Sequence, residues 1–471
     1  MLYRFRSIDS INSETKEPYL FEELRNQTIY FSKLEDFNDY GETHMKIRWQ
    51  GDEIAWKGLF KHYILNLENA VFMCKLSDEE NDIKKLGIFM ADPNCEDFCE
   101  ITGFNEKYAK QLVDISTKFI ETPIIKAFVR LLTEFNPKIN EKELSFILSS
   151  VHNTAFSFFK DYLGISYKNV DNFSESDYYE RFKFLFNKST SQEKDHFNEM
   201  IEVIEVTKSQ LIKEKELPFK MKFLSMDFPT EYVKQIKCLT YPERYVSCFT
   251  ERFDNNAMWG YYANSYRGVC LEFNPKIIGD KEYIELYKEI GVSSISGKIY
   301  DYVNFEFKKI TYSDIDTFPE FNFFEQLGKL NPLQMSIFLV DNKKASQFYN
   351  YSDEWRKEYW KIFEKMSICK TKDWEHEAEK RLILNNMISE YDSAEKRNLK
   401  YKFECLNGII FGLKIDEKIK NKIIEIITEE CNKKDRKDFN FYKLFYLDGK
   451  LLKEKCLDST IIFKNLLKGK D

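Results

Sequence analysis

The sequence predicts an α+β fold in which one mixed β-sheet is assembled from distant parts of the chain, with large helical insertions between them. Three observations lead to it. Short β-rich runs stand near the start, in the middle and near the end of the chain. Two long stretches between them carry apolar residues at three- and four-residue spacing. Residues 245–273, YVSCFTERFDNNAMWGYYANSYRGVCLEF, hold a strand, a capped helix, a turn and a second strand in one continuous pattern.

The first elements are LYRF at 2–5, a helical segment through Tyr19, Leu20 and Leu24, and the run TIYF at 28–31, giving a β-α-β opening. Ser32 leads into SKLEDFNDYGE, a polar loop with Asp36, Asn38, Asp39 and Glu42, whose turn formers predict an exposed rim of the kind that holds ligands. From about 52 to 240 the chain turns helical, with amphipathic stretches at 110–135 and 141–163. The Lys/Glu-rich part at 202–216 reads as a solvated helix face. Tyr245 to Phe249 alternates aromatic and small residues, and Val269, Leu271 and Phe273 recur at period two, so both ends of the central stretch read as half-buried strands. Between them Asp254 or Asn255 is the expected N-cap, and Gly268 is expected to supply a positive φ. Trp259, Tyr262 and Tyr266 fall at helical spacing, as core or as a platform for a planar ligand. Residues 295–305 read as a strand region, about 318–368 as a second helical block, 380–384 and 408–413 as strands, 418–431 as an amphipathic helix and 439–447 as a last strand. The expected division is therefore 1–51, 241–305 and 369–471 for the core, with insertions at 52–240 and 306–368.

Composition narrows the function classes. A chain of 471 residues can bury more than one core, and its 42 Phe and 28 Tyr against 16 Gly and 10 Pro favour a folded, helix-rich protein over a disordered one. A formal net charge of −7 argues against a broadly basic nucleic-acid-binding surface, though not against a local basic groove. The ten cysteines show no paired metal-site spacing, Cys95 and Cys99 forming an isolated C-x3-C, and they read as reduced core thiols. MLYRFRS carries no signal-peptide pattern and no long apolar run follows, so the expectation is a cytoplasmic protein with no membrane partner.

Familiar catalytic motifs are missing: no phosphate-binding glycine loop, no G-x-S-x-G and no H-E-x-x-H. Asp314-Ile-Asp316-Thr317 matches D-x-D-x-T only superficially, because no apolar strand precedes it. The five histidines show no ligand spacing, so no metal site is expected. What remains is WEHEAEKRLIL at 374–384. Read as the lead into a strand, alternation puts Glu377, Glu379 and Arg381 on one face and Leu382 and Leu384 on the other. Read as the end of a helix, Glu375 and Glu379 are an i,i+4 pair on a charged surface.

YRFR at 3–6, FSKLEDFND at 31–39, SCFTERFDNNAMWGYYANSYRGVCLEF at 247–273 and KTKDWEHEAEKRLIL at 370–384 followed by IIFGLKI stand in one order along the chain. On these blocks the chain resembles the bacterial family called domain of unknown function 2971, which is similar to the ADP-ribosyltransferase-like superfamily. That resemblance implies a split mixed sheet that binds NAD in a cleft between its halves. It implies Arg4, with Tyr3, on the dinucleotide, Ser247 or alternatively Ser32 from the middle strand, and Glu379 as the catalytic carboxylate with Glu377 as the first Glu of E-x-E. The S-T-S-type middle motif of the superfamily is missing. Trp259 and Tyr262 would stack on a planar ring. The implied activity is ADP-ribosyl transfer or NAD hydrolysis on a cytosolic target, with NAD as substrate and a macromolecular acceptor, in a toxin or phage-defence setting. The alternative is a non-catalytic nucleotide- or partner-binding protein that uses its helical insertions for recognition.

Overall fold

The computed structural model describes the chain except residues 38, 40–45, 77–90, 96, 160–162, 164–172, 187–197, 204–205, 207–217, 294–296, 342, 348–351, 387–390 and 469–471. It forms two compact units: a sheet unit of Met1–His44, Glu243–Phe318 and Glu364–Asp471, and a helical unit of Met45–Pro242 and Pro319–Phe363. The second boundary differs from the expected 306–368, because residues 306–318 and 364–368 fall in the sheet unit. Lys308–Lys309 pair with the strand that starts at Glu379, and Thr311–Ser313 run parallel to Cys369–Thr371. The stretch 318–368 is also less helical than its spacing implies: it holds a strand at Glu320–Asn322, short turns, and a single long helix at Asp353–Ser367 among the described residues.

In the sheet unit nine strands form one mixed sheet. They are β1 (Leu2–Arg6), β2 (Ser32–Lys33), β3 (Glu243–Thr250), β4 (Val269–Phe273), β5 (Lys308–Lys309), β6 (Glu379–Asn386), β7 (Leu406–Phe411), β8 (Asn440–Leu447) and β9 (Lys450–Lys455). Their order is β5-β6-β3-β1-β4-β7-β8-β9, with β2 also on β3. All pairings are antiparallel except β7 with β8. The N-terminal strand thus lies between two strands more than two hundred residues away, as the three separated β-rich runs require.

Alternation along each strand sends side chains to opposite faces. Leu2, Leu271, Leu382, Leu384 and Ile409 share one core with Leu20 and Leu24 of α1 (Tyr19–Asn26). Tyr3, Phe5, Cys270 and Ile410 share another with Trp259 of α2 (Asn256–Tyr261). A second sheet joins Thr28–Tyr30, Asn398–Tyr401, Lys276–Ile278 and the long hairpin strands Lys281–Ser293 and Gly297–Glu306.

The helical unit is built on Glu53–Leu76, a helix whose residues Trp56, Leu59, Phe60, Tyr63, Ile64 and Leu67 are fully buried. The expected amphipathic stretch at 110–135 is two helices, Glu106–Ile120 and Pro123–Glu134, because Pro123 opens the second as its first residue. Glu141–Ser157 starts at a capping box between Asn140 and Glu143. The 202–216 stretch lies mostly outside the described residues. Among the described residues no helix is long and apolar enough to cross a membrane.

Candidate functional site

β1 and β3 are in register at Tyr3↔Thr250 alone, while β2 takes up Val246 and Tyr245 further along the same edge of β3. The sheet therefore forks, and Ser247, Cys248 and Phe249 face a gap. A cavity of about 400 Å³ occupies it, and every residue around it belongs to the sheet unit. That volume is in the range of small-molecule sites.

The site takes its shape from two local features. Asn255 caps α2 by accepting the backbone N–H groups of Ala257 and Met258 at 2.9 and 3.4 Å, and its own amide donates to the His376 carbonyl at 2.5 Å, which ties the helix to the 372–377 turn. The expectation for Gly268 is corrected: positive φ falls on Asn264, Ser265 and Tyr266, whereas Gly268 is needed for close approach, a Cβ there lying 2.2 Å from the Arg6 carbonyl oxygen. On the other side Lys372–Glu377 is a 3-10 turn, and Ala378 at φ 45° turns the chain into β6 at Glu379. Glu375 and Glu379 are thus not an i,i+4 helical pair.

Four charged groups meet on this wall. The Lys370 ammonium donates to Glu377 Oε2 at 2.6 Å and to Glu379 Oε2 at 3.1 Å. Arg381 grips Glu379 from Nε at 2.6 Å and Nη2 at 3.1 Å, and spends Nη1 on the Ser367 carbonyl. The Tyr262 hydroxyl donates to Glu377 Oε1 at 2.8 Å, and the Glu379 backbone N–H donates to the Tyr312 hydroxyl at 2.8 Å. Burial on its own would raise the Glu379 pKa; the Arg381 charge and hydrogen bond, Lys370 and a hydrogen bond with Cys248 outweigh it and hold the carboxyl down at about 2. Glu379 is therefore a fixed anion at any ordinary pH. Burial, then the charge and hydrogen bond of Glu377, raise Tyr262 well above the usual phenol range, so it remains a donor.

Another part of the cavity lining differs. Arg4 sits above the Phe249 ring at 5.9 Å, donates from Nη2 to the Tyr30 carbonyl at 3.2 Å and lies 3.6 Å from Glu23, which also takes Arg6. Burial lowers the Arg4 pKa to about 10, partly offset by Glu23, which leaves it cationic. Its Nη1 makes no hydrogen bond, and neither does the Ser247 hydroxyl, although both side chains are more than nine-tenths buried at the cavity.

Of the residues named from sequence, Tyr3, Arg4, Ser32, Ser247, Tyr262, Glu377 and Glu379 all line this cavity. Trp259 does not. Its ring is completely buried, edge-on to Phe5 at 5.0 Å and stacked on Tyr266, with its indole N–H given to the Phe253 carbonyl. The stacking role expected of it is corrected to a core role, because no face is left for a ligand. Alternation alone does not reveal Lys370, Cys248 and Arg6, which also line the cavity. Asp36 and Asp39 of the polar loop line it too, while Asn38 and Glu42 lie outside the described residues. Among the described residues no cluster of His, Cys, Asp or Glu could hold a metal ion. Comparison with family models, with curated proteins and with solved structures finds no match to this chain.

Proposed function

We propose that this chain binds NAD, or a closely related nucleotide, in the fork of its sheet and cleaves the nicotinamide glycosidic bond, as an ADP-ribosyltransferase or NAD glycohydrolase. The observation that carries the reading is the pair Glu377 and Glu379, buried on a wall of the cavity that Arg4 also lines and held by one shared lysine. The four-block resemblance, which singled out these residues, points the same way.

Loss of nicotinamide leaves positive charge on the ribose, and a carboxylate already ionised and fixed stabilises that charge more in the transition state than in the neutral-sugar ground state. Glu379 has these properties. Glu377, less encumbered, is placed to orient or deprotonate the acceptor. Arg4, whose Nη1 makes no hydrogen bond although it lies 3.6 Å from Glu23, suits a phosphate or a ribose hydroxyl. With Trp259 in the core, Tyr262 remains to pack against a planar ring.

A second reading, a binding protein without turnover, draws on the same wall: both Glu379 oxygens already accept charged donors, which weakens its field on a substrate. One experiment separates the two. Purified protein is incubated with NAD while nicotinamide release and binding are measured, beside Glu379→Gln. The catalytic reading expects turnover that falls about a hundredfold or more in the variant, with NAD binding retained. Binding without release favours the second reading, and neither binding nor release removes both.

A further inference from the structure

The sheet unit carries another feature that the cavity does not use. Lys281–Ser293 and Gly297–Glu306 form a long antiparallel arm, registered from Tyr283↔Glu306 to Ser293↔Gly297. The first strand is paired on both sides, taking Lys276–Ile278 and Asn398–Tyr401 on its other edge. Gly297–Glu306 has strand pairing on one side only among the described residues.

An edge of ten residues without a second strand is a template for another strand, and proteins usually blunt such edges with lysines, prolines or bulges; here the Tyr302 N–H donates to the Asp301 carboxylate at 2.7 Å, a bond that a partner strand would replace. This one has a single lysine and no proline, and the one irregularity in the ladder, at Glu289/Gly291, lies on the inner strand. Large apolar side chains are also unusually open here: Val292 is 72 % exposed, Ile290 52 %, Tyr300 46 % and Tyr302 36 %. Tyr287 stands opposite Tyr302 and stacks on Tyr300 at 5.7 Å, so the three rings share one face.

Charge disfavours a nucleic acid as the occupant. Residues 281–306 carry three lysines (281, 288, 298) against five carboxylates (282, 285, 289, 301, 306), the wrong balance for a polyanion. A second copy of the chain fits better. Two copies of one strand paired antiparallel about a dyad normal to the sheet place one residue opposite itself. Two such registers use nearly the whole strand. Centring on Asp301 opposes two carboxylates, which is unfavourable. Centring on Tyr302 sets Lys298, which pairs with Glu289 in its own chain, opposite Glu306, which pairs with Lys281 and Lys308; it sets Tyr300 opposite Asn304 and Ile299 opposite Phe305, and extends the tyrosine stripe across the junction. We propose that Gly297–Glu306 is a homodimerisation edge, two copies joining antiparallel about Tyr302 into a continuous sheet.

Sedimentation velocity of the full chain over a range of concentrations tests this. The wild type is expected to form a dimer, and Tyr302→Lys, which sets two ammonium groups against each other at the dyad, to raise its dissociation constant by about tenfold or more. Tyr302→Cys is expected to cross-link between copies under mild oxidation, whereas Lys288→Cys, on the inner strand, is not. A wild type that stays monomeric overturns the proposal, as does a dimer that Tyr302→Lys leaves unchanged. If Tyr302→Lys fails to fold by circular dichroism, the cross-link decides: none at residue 302 overturns it equally.

Discussion

On one wall of the cavity every carboxylate oxygen of Glu377 and Glu379 is engaged by Lys370, Arg381 or Tyr262; on the other, Ser247 Oγ and Arg4 Nη1 are buried without a hydrogen bond. Burying a charge is costly unless it is paired, and the first wall meets that condition internally. The second keeps hydrogen-bonding capacity that no other protein group takes up. The difference teaches where a ligand would gain most: the carboxylate wall is preorganised, and the Arg4–Ser247 wall is the one with capacity to give.

Breaking the paired wall has the largest expected effect. Arg381 is 1 % exposed, and Arg381→Met removes the bidentate partner of Glu379 while filling much of its volume. Lys370 alone then balances two buried carboxylates. Removing one partner of a buried pair costs about 3–5 kcal/mol, and urea denaturation should show a loss of that order. A loss below about 1 kcal/mol, the range of exposed ion pairs, would mean that solvent reaches Glu379 and that the wall is not preorganised.

The strands that carry these residues were legible in the sequence, the contrast between the walls was not, and the limits are physical. Period-two alternation in LYRF, YVSCF, VCLEF and KRLIL exposes strand faces directly, and it places Glu379 and Arg381 on one face, as the structure does, whereas Glu377, expected on that face too, ends the 3-10 turn before the strand. Lys370 was not legible, since the strand that carries it pairs with Thr311–Ser313 and nothing local marks its ammonium as the link between two carboxylates. For Trp259 the core reading holds and the stacking role fails, because helical spacing locates an aromatic stripe without showing which rings the neighbours enclose. The inner hairpin strand Lys281–Ser293 gave little local signal, because its outer partner and exposed faces leave EYIELYKEI without a clean alternation of buried and open positions.

Acid titration gives an intermediate effect on the same wall. Glu379 has a folded pKa depressed from 4.5 to about 2, so its contribution to stability is fully present above 4.5 and is lost as pH falls towards 2. In that window the unfolded state binds the proton more readily than the folded state, so acid favours unfolding. Glu379→Gln removes this group and should flatten the fall in denaturation midpoint between pH 4.5 and about 2. Parallel profiles for variant and wild type would show that Glu379 titrates normally and that Arg381 and Lys370 do not hold it.

The smallest effect on stability belongs to the unpaired wall, where its sign carries the information. Ser247 is 3 % exposed and its hydroxyl makes no hydrogen bond with another protein group, so its contribution to the fold is small. Ser247→Ala removes the group and leaves the backbone pairing of β3 in place. Deleting a satisfied hydroxyl typically costs about 1 kcal/mol, whereas deleting an orphaned one should leave stability unchanged or slightly raised. If the hydroxyl is held for a ligand, the same variant should weaken NAD binding by about fivefold, the equivalent of one neutral hydrogen bond. Unchanged stability with weakened binding sharpens the contrast between the two walls. Lost stability with unchanged binding would place Ser247 in the fold, and the open hydrogen-bonding capacity of that wall would reduce to Arg4.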